Sequence, residues 1–366
     1  MKVAVISGLL APHGVGGAEV VAEREARARQ ERGDDVFVIT TKPLRRLSDL
    51  RPVDTIENGL RVVRFFALNL FFYPRLFSTP RPLRWVYHLL DLFNLHAYFT
   101  VRRILRRERP DLVLTHNLKG LGYLVWRAVR AAGVPCVHRL HDAQLVEPSG
   151  LVMAGREKTL DDGLHRAYQA VTRWLIASPQ IVVSPSKWAL ARHTERGFFP
   201  RSETKVEPNE IPELPAVETP PRDPQTLRLL FLGQIEQHKG VLFLIDALRD
   251  WREVPWHLEI VGDGTRGEAV ARSVRDDERF TAHGFLAGAD LAAAFARCDA
   301  LVVPSLCHEN SPTVIGLARA AGRPVFASRV GGIPEMVEDD ARLFAPGDAA
   351  GLRAVLKRWW DDRRNP

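Results

Sequence analysis

Val302-Val303-Pro304-Ser305-Leu306-Cys307-His308-Glu309-Asn310-Ser311-Pro312-Thr313 leads from the end of an apolar run into the start of an amphipathic one. Proline after paired valines closes a strand. Ser-Pro-Thr opens a helix, because proline is tolerated in a first turn whose amides have no intrahelical partner. A carboxylate, Glu309, and free helix-start amides therefore meet at one strand terminus. That combination suits a ligand with both hydroxyls and phosphate: the carboxylate accepts from hydroxyls and the amides hold phosphate oxygens. The same strand–turn–helix rhythm repeats on both sides of this stretch and decides the fold.

Around it, apolar runs at 227–232, 258–261, 281–283, 301–303, 324–327 and 342–344 predict strands, with a helix at 241–251. Upstream, runs at 3–6, 36–40, 60–65, 112–115, 136–140 and 181–184 predict a second series, with a first crossover helix at 18–31. Strands alternating with amphipathic segments are the mark of α/β doubly wound sheets. Between the series, residues 207–224 hold six prolines in eighteen residues, which excludes helix or central strand. The expected organisation is a Rossmann-like domain at 1–206, a Pro-rich linker at 207–226 and a second Rossmann-like domain at 227–366. A chain of 366 residues is comfortable as two domains. Two such sheets would face each other across a cleft lined by strand C-terminal ends, the usual ligand position.

Apolar content of 46% and charged content of 26% are those of a globular chain. Cys136, Cys298 and Cys307 show no metal or disulfide spacing, so buried, reduced thiols in a cytoplasmic protein are expected. The opening Met1-Lys2-Val3-Ala4-Val5-Ile6 reads as a buried strand rather than a signal peptide. No apolar stretch approaches the roughly 18 residues of a spanning helix. Residues 1–212 carry 32 Lys+Arg against 21 Asp+Glu, and the remainder 19 against 23, so the basic excess belongs to the first half. Such a half suits an anionic membrane or phosphorylated small molecules; without an RNP, zinc-finger or homeodomain pattern, nucleic acid is not an expected partner. Residues 65–99 contain eleven of the 30 aromatics, interleaved with Arg75, Arg81 and Arg84. Two readings stay open: an ordinary pair of core helices, or an amphipathic surface that rests on lipid at the inner face of the plasma membrane.

Other turns carry chemistry. Gly14-Val15-Gly16-Gly17-Ala18-Glu19 follows the first strand, where glycines permit close backbone approach to a ligand. Phe231-Leu232-Gly233-Gln234-Ile235-Glu236-Gln237-His238-Lys239-Gly240 puts an ammonium beside a helix start, a pairing suited to a diphosphate. Val261-Gly262-Asp263-Gly264 is a further strand-end glycine turn.

Taken in order with Gly322-Arg-Pro-Val325 and Gly331-Gly332-Ile-Pro-Glu335, these motifs resemble the retaining GT-B glycosyltransferases of family 4, over residues 1 to about 350. The resemblance implies a nucleoside diphosphate sugar donor bound by the C-terminal domain and an acceptor bound by the N-terminal one. On it, His141 and Glu309 stand at the reacting centre. Lys239 neutralises the diphosphate, Asn310, Ser311, Pro312 and Thr313 line the phosphate end, and Gly233, Gln234, Gly262 and Gly264 form the adjoining turns. His283 and Phe285 fall where the base is met, and Gly16 and Gly17 approach donor phosphate or acceptor. Glu19, His116, Asn117 and Asp142 are acceptor-side candidates. No cofactor or metal is expected, since no Asp-x-Asp or histidine cluster stands in the implied site. Two departures matter: Gln234 replaces the usual arginine, and Leu317 the second glutamate, eight residues after the first. The implied function is hexosyl transfer with retention to a glycan or lipid-linked acceptor in cell-surface polysaccharide or glycolipid biosynthesis. The alternative is a non-catalytic GT-B subunit partnering an active transferase.

Overall fold

A computed structural model of the chain describes residues 1–14, 16–221 and 223–364, with the side chains of Phe77, Ser78 and Arg81 excepted. Val15 of the first glycine turn, Arg222 of the Pro-rich stretch, the Arg81 side chain and Asn365-Pro366 thus lie outside the described residues. The chain forms two compact units, one of Met1–Leu151 and Lys158–Pro208, the other of Val152–Glu157 and Asn209–Pro366.

In the first unit the strands are β1 (Lys2–Ile6), β2 (Asp35–Thr41), β3 (Val53–Glu57), β4 (Leu60–Phe65), β5 (Leu112–Thr115), β6 (Cys136–Arg139), β7 (Ile181–Ser184) and β8 (Glu203–Val206). They form one sheet in the order β3-β4-β2-β1-β5-β6-β7-β8, parallel except for the β3–β4 hairpin. Asn58 and Gly59, both at positive φ, make its turn, as a two-residue hairpin loop of matching twist requires. The helices are α1 (Gly17–Glu31), α2 (Arg81–Leu92), α3 (Leu95–Glu108), α4 (Val125–Ala132), α5 (Gly163–Ile176) and α6 (Lys187–Thr194). Alternate strand residues feed opposite faces: Ala4, Ile6, Phe37 and Ile39 enter one core, while Val3, Val5, Val36 and Val38 enter the other. This period of two, on strands buried on both faces, is why they read as continuous apolar runs.

The second unit repeats the plan with β9 (Leu227–Leu232), β10 (Trp256–Val261), β11 (Phe280–Gly284), β12 (Ala300–Val303), β13 (Val325–Ser328) and β14 (Leu343–Phe344), ordered β11-β10-β9-β12-β13-β14 and all parallel. Its helices are α7 (Val241–Arg249), α8 (Gly267–Val274), α9 (Gly288–Arg297), α10 (Thr313–Ala320) and α11 (Ala349–Arg364). Helices α7, α8 and α11 cover one face with Leu229, Phe231 and Phe326; α9 and α10 cover the other with Leu230, Leu301 and Val303.

Two features depart from the sequence reading. Residues 152–157, placed there in the first domain, belong to the second unit. Met153 forms a β-bridge with Cys307, and the amides of Ala154 and His308 donate to Leu306 O and Val152 O. The aromatic-rich segment, for its part, divides. Helix α3 sinks Ala97, Val101, Ile104 and Leu105 into the core, whereas α2 exposes most of its apolar side chains and buries Tyr87, Asp91 and Leu92. All three cysteines are buried and none is in a disulfide, and among the described residues no helix is long and apolar enough to cross a membrane.

Phe326 is wholly buried and meets Trp359 edge-on at 5.4 Å between ring centroids. Phe326→Ala is expected to cost the second unit about 3–5 kcal/mol, through lost transfer energy plus a cavity. Urea unfolding of the two proteins, followed by circular dichroism, measures the difference.

Candidate functional site

In the second unit, strand order reverses between β9 and β12, and the helices that follow them, α7 and α10, leave for opposite faces. The crevice outside those two strand ends is the usual binding position of an open parallel sheet. Lys239, at the end of a 3₁₀ turn after β9, donates from Nζ to Glu309 Oε1 at 2.7 Å. Ser305 Oγ donates to the same oxygen at 3.0 Å. Burial alone would raise the Glu309 pKa, but the charge and hydrogen bond of Lys239, with Ser305, hold it below the usual carboxylate range. Burial likewise pushes Lys239 down, and Glu309 more than offsets this, so its pKa lies above the ordinary value. Both groups are charged at neutral pH.

The backbone fixes this pair. Leu306 N–H donates to His238 O at 2.8 Å, tying the loop after β12 to the turn after β9. Gly332 N–H donates to Glu309 O at 2.7 Å. Gly331, at φ +60, stands where a Cβ would lie 2.1 Å from that same oxygen, so only glycine lets the loop after β13 approach. His308 Nδ1 accepts from Gly331 N–H at 3.0 Å, which leaves the Nε2 proton to face Glu157 Oε1 at 2.6 Å. That bond, with backbone donors, holds the Glu157 carboxyl at about 2.

Beside Glu309, the buried Nδ2 of Asn310 has no hydrogen-bond partner among the described residues. Ser311 Oγ points at Met336 Sδ, Pro312 occupies the cap position, and Thr313 begins α10, whose first amides lack intrahelical partners. On the other side, Gly233 N–H donates to Val261 O and Gly262 N–H to Gly284 O, joining the ends of β9, β10 and β11. A Cβ on Gly262 would lie 1.8 Å from Gly233 O. Gly264 packs on the Ile235 backbone, and Gln234 is exposed. At the β11 edge, His283 Nε2 lies 2.9 Å from Glu259 Oε2; Arg297 donates from Nε to Glu259 Oε1 and from Nη2 to Oε2, and Phe285 is exposed.

The first unit gathers its own candidates at the ends of β5 and β6. His116 Nδ1 lies 2.8 Å from His141 Nε2. Burial depresses both histidines, His116 to about 3, so the pair is neutral at physiological pH. Asn117 Nδ2 donates to Asp142 Oδ2 at 2.9 Å, and Gln144 N–H to Oδ1 at 2.8 Å. Glu19 folds back over the start of α1, where Gly16 is the cap residue. Burial raises its pKa, against the backbone hydrogen bonds of Glu19 and Gly16. The amides expected to meet a ligand phosphate there thus already have a carboxyl group beside them; Gly17 has open space at its Cβ position.

Family models match both units: the "Glycosyl transferase 4-like domain" over residues 16–210 and "Glycosyl transferases group 1" over residues 226–362. The chain belongs to the GT-B glycosyltransferases. It is 24% identical to an uncharacterized 42.6 kDa protein in the cps region of Klebsiella pneumoniae, over 92% of this chain and 87% of that one. It is 27% identical to an MMP alpha-(1->4)-mannosyltransferase of Mycolicibacterium hassiacum, over 100% of this chain and 90% of the other. Anabaena HepE, solved in complex with UDP, superposes with a TM-score of 0.68 at 18% identity, over 99% of this chain and 91% of that one.

In this glycosyltransferase, sequence reasoning missed several site neighbours. Lys119 is buried, with Nζ 4.0 Å from Asp142 Oδ2, and burial lowers its pKa. Its signal was present, two residues past His116-Asn117 at a strand end, but lysine is rarely expected inside. Glu25 sits behind His116, its Oε2 3.6 Å from Nε2, and takes a hydrogen bond from Arg139. Glu157 was hidden because nothing local in residues 152–157 announces pairing with the second unit. Leu317 packs among Ile315, Ala318, Val330 and Ile333, so the position offers no hydrogen-bond acceptor.

A Cβ at Gly331 collides with main chain, so Gly331→Ala is expected to displace Glu309 and lower activity at least about tenfold while costing about 1–3 kcal/mol of stability; parallel kinetics and thermal melts measure both. The depressed histidines also set a pH dependence. Below the usual histidine pKa the unfolded chain binds protons that buried His116 refuses, so stability is complete above about pH 6.5 and declines as pH falls toward His116's folded value of about 3. His116→Gln is expected to flatten the decline in urea midpoint between about pH 7 and about pH 5.

Proposed function

We propose that this glycosyltransferase moves a hexose from a nucleoside diphosphate sugar to a glycan or lipid-linked acceptor during assembly of a cell-surface polysaccharide or glycolipid. The observation that carries the reading is the partly buried Lys239–Glu309 ion pair beside Asn310 Nδ2, unpartnered among the described residues, and the start of α10. Those groups supply what such a donor demands: a cation and amides for the diphosphate, and a carboxylate for sugar hydroxyls. The UDP held by the HepE structure, the mannosyl transfer named for the mycobacterial relative and the cps-region location of the Klebsiella protein all point the same way.

In the proposed reaction the bond between the anomeric carbon and the β-phosphate oxygen breaks, and a bond to the acceptor hydroxyl oxygen forms. The acceptor proton passes to the leaving phosphate, and the configuration at the anomeric carbon is retained. Negative charge grows on the diphosphate, where Lys239 and the amide N–H groups of Asn310, Ser311 and Thr313 stabilise it without a metal ion. Neutral His141 and His116, with Asn117 and Asp142, are the proposed acceptor-side groups. His141 serves as a hydrogen-bonding partner to the reacting sugar rather than as a cation. With Leu317 in place of a carboxylate and Gln234 in place of an arginine, donor affinity rests more heavily on Lys239.

Release of nucleoside diphosphate, followed with UDP-, GDP-, TDP- and ADP-sugars against a panel of glycan and lipid-linked acceptors, tests the reading. Acceptor-dependent release by one donor class is expected, unchanged by a metal chelator. Lys239→Ala and Glu309→Gln should each lower kcat by about 10²–10³. No release from any donor, with no thermal stabilisation by any nucleotide, would instead assign a non-catalytic subunit.

A further inference from the structure

Helix α2 turns most of its apolar side chains outward. Two stripes, Leu83, Val86 and Leu90 and then Trp85, Leu89 and Phe93, recur at helical spacing and are all exposed, Trp85 by 55% and Leu89 by 59%. The opposite face turns Tyr87, Leu92 and Asp91 inward, where Asp91 accepts from the Gly120 amide at 3.1 Å and burial raises its pKa to about 7. An amphipathic helix ordinarily does the reverse. Helix α3 extends the exposed strip through Leu95 and Phe99, and the same face continues to Arg103 and Arg106. A contiguous apolar surface of this kind on a folded chain marks a contact with something else.

Charge decides what that contact is. Between residues 60 and 107 the sequence holds nine arginines and a single acidic residue, Asp91, which is buried. Nearby, Leu44 and Leu47 are exposed beside Arg45 and Arg46 in the loop after β2. That loop reaches this end of the unit through the bond from Phe66 N–H to Asp49 O and the one from Leu68 N–H to His96 Nδ1. A second copy would set one arginine rim against another, because a two-fold interface repeats the same patch on both sides. A bilayer with anionic headgroups satisfies both features at once: tryptophan, leucine and phenylalanine enter the headgroup–acyl boundary while arginines meet phosphates.

We infer that the exposed face of α2, continued by the first turns of α3, docks this protein on an anionic lipid surface without spanning it. The inference is independent of the donor reading, since it concerns partition and not turnover.

Flotation of the purified full chain with phosphatidylglycerol/phosphatidylcholine vesicles, and with phosphatidylcholine alone, tests it. Binding to the anionic vesicles at low ionic strength is expected, with far less to the zwitterionic ones. Trp85→Ser/Leu89→Ser should cut the partition coefficient by more than about tenfold. Arg103→Gln/Arg106→Gln should cut it about fivefold per charge. Ile56→Ser, which removes an exposed apolar side chain on the β3 edge, should leave it unchanged. Failure of the wild type to float with anionic vesicles overturns the inference, as does flotation that the Trp85/Leu89 variant retains. A concentration-dependent dimer that this variant dissolves, without flotation of the wild type, would assign the face to self-association and equally overturn it.

Discussion

An ammonium and a carboxylate partly withdrawn from water hold their charges best against each other, and the second unit is arranged around one such pair. Lys239 and Glu309 come from loops seventy residues apart in sequence, after neighbouring strands β9 and β12. Desolvation works against both charges, and each shifts the other back toward ionisation. A partly buried pair of this kind is weak evidence of stability, because two packed apolar side chains would serve at least as well. Its value lies elsewhere. The pair keeps a cation and an anion charged and positioned, and a ligand bearing its own charge and hydroxyls can take up both.

The surroundings serve that arrangement. Gly331 admits the loop after β13 to the Glu309 carbonyl, His308 links this loop to Glu157, and residues 152–157 add a bridge to the loop that carries Glu309. The first unit uses burial in the opposite sense. His116 and His141 are held neutral by desolvation, and Asp142 is pushed upward by burial while Lys119, Asn117 and Gln144 restrain it. One site is thus built from charges that are kept and the other from imidazoles whose charge is refused.

Most of the architecture was legible because both sheets are parallel and buried on two faces, so their strands read as apolar runs. The strands that escaped were those that break this rule. β3, Val-Asp-Thr-Ile-Glu, is an exposed antiparallel edge whose polar residues mask its pairing, and β8, Glu-Thr-Lys-Val, is a largely exposed edge abutting the prolines. Lys239, Glu309 and the strand-end histidines were visible because turn residues place them at strand termini, where local sequence and topology coincide. Lys119 and Glu157 were not. Their importance depends on burial and on a long-range bridge, and neither leaves a periodic trace. The aromatic segment was ambiguous for a physical reason: α3 and α2 have similar composition, and only their packing separates a core helix from one that turns its apolar face outward.

The division of labour between cation and carboxylate is tested most directly by calorimetric titration of the free nucleoside diphosphate, which lacks the sugar, into three proteins. If Lys239 holds the diphosphate and Glu309 the sugar, Lys239→Ala should weaken binding by about tenfold or more, as loss of a charged hydrogen bond does. Glu309→Gln should leave it equal or tighter, since the ammonium is then released from its partner. Equal weakening by both substitutions, or indifference to Lys239→Ala, would contradict the account.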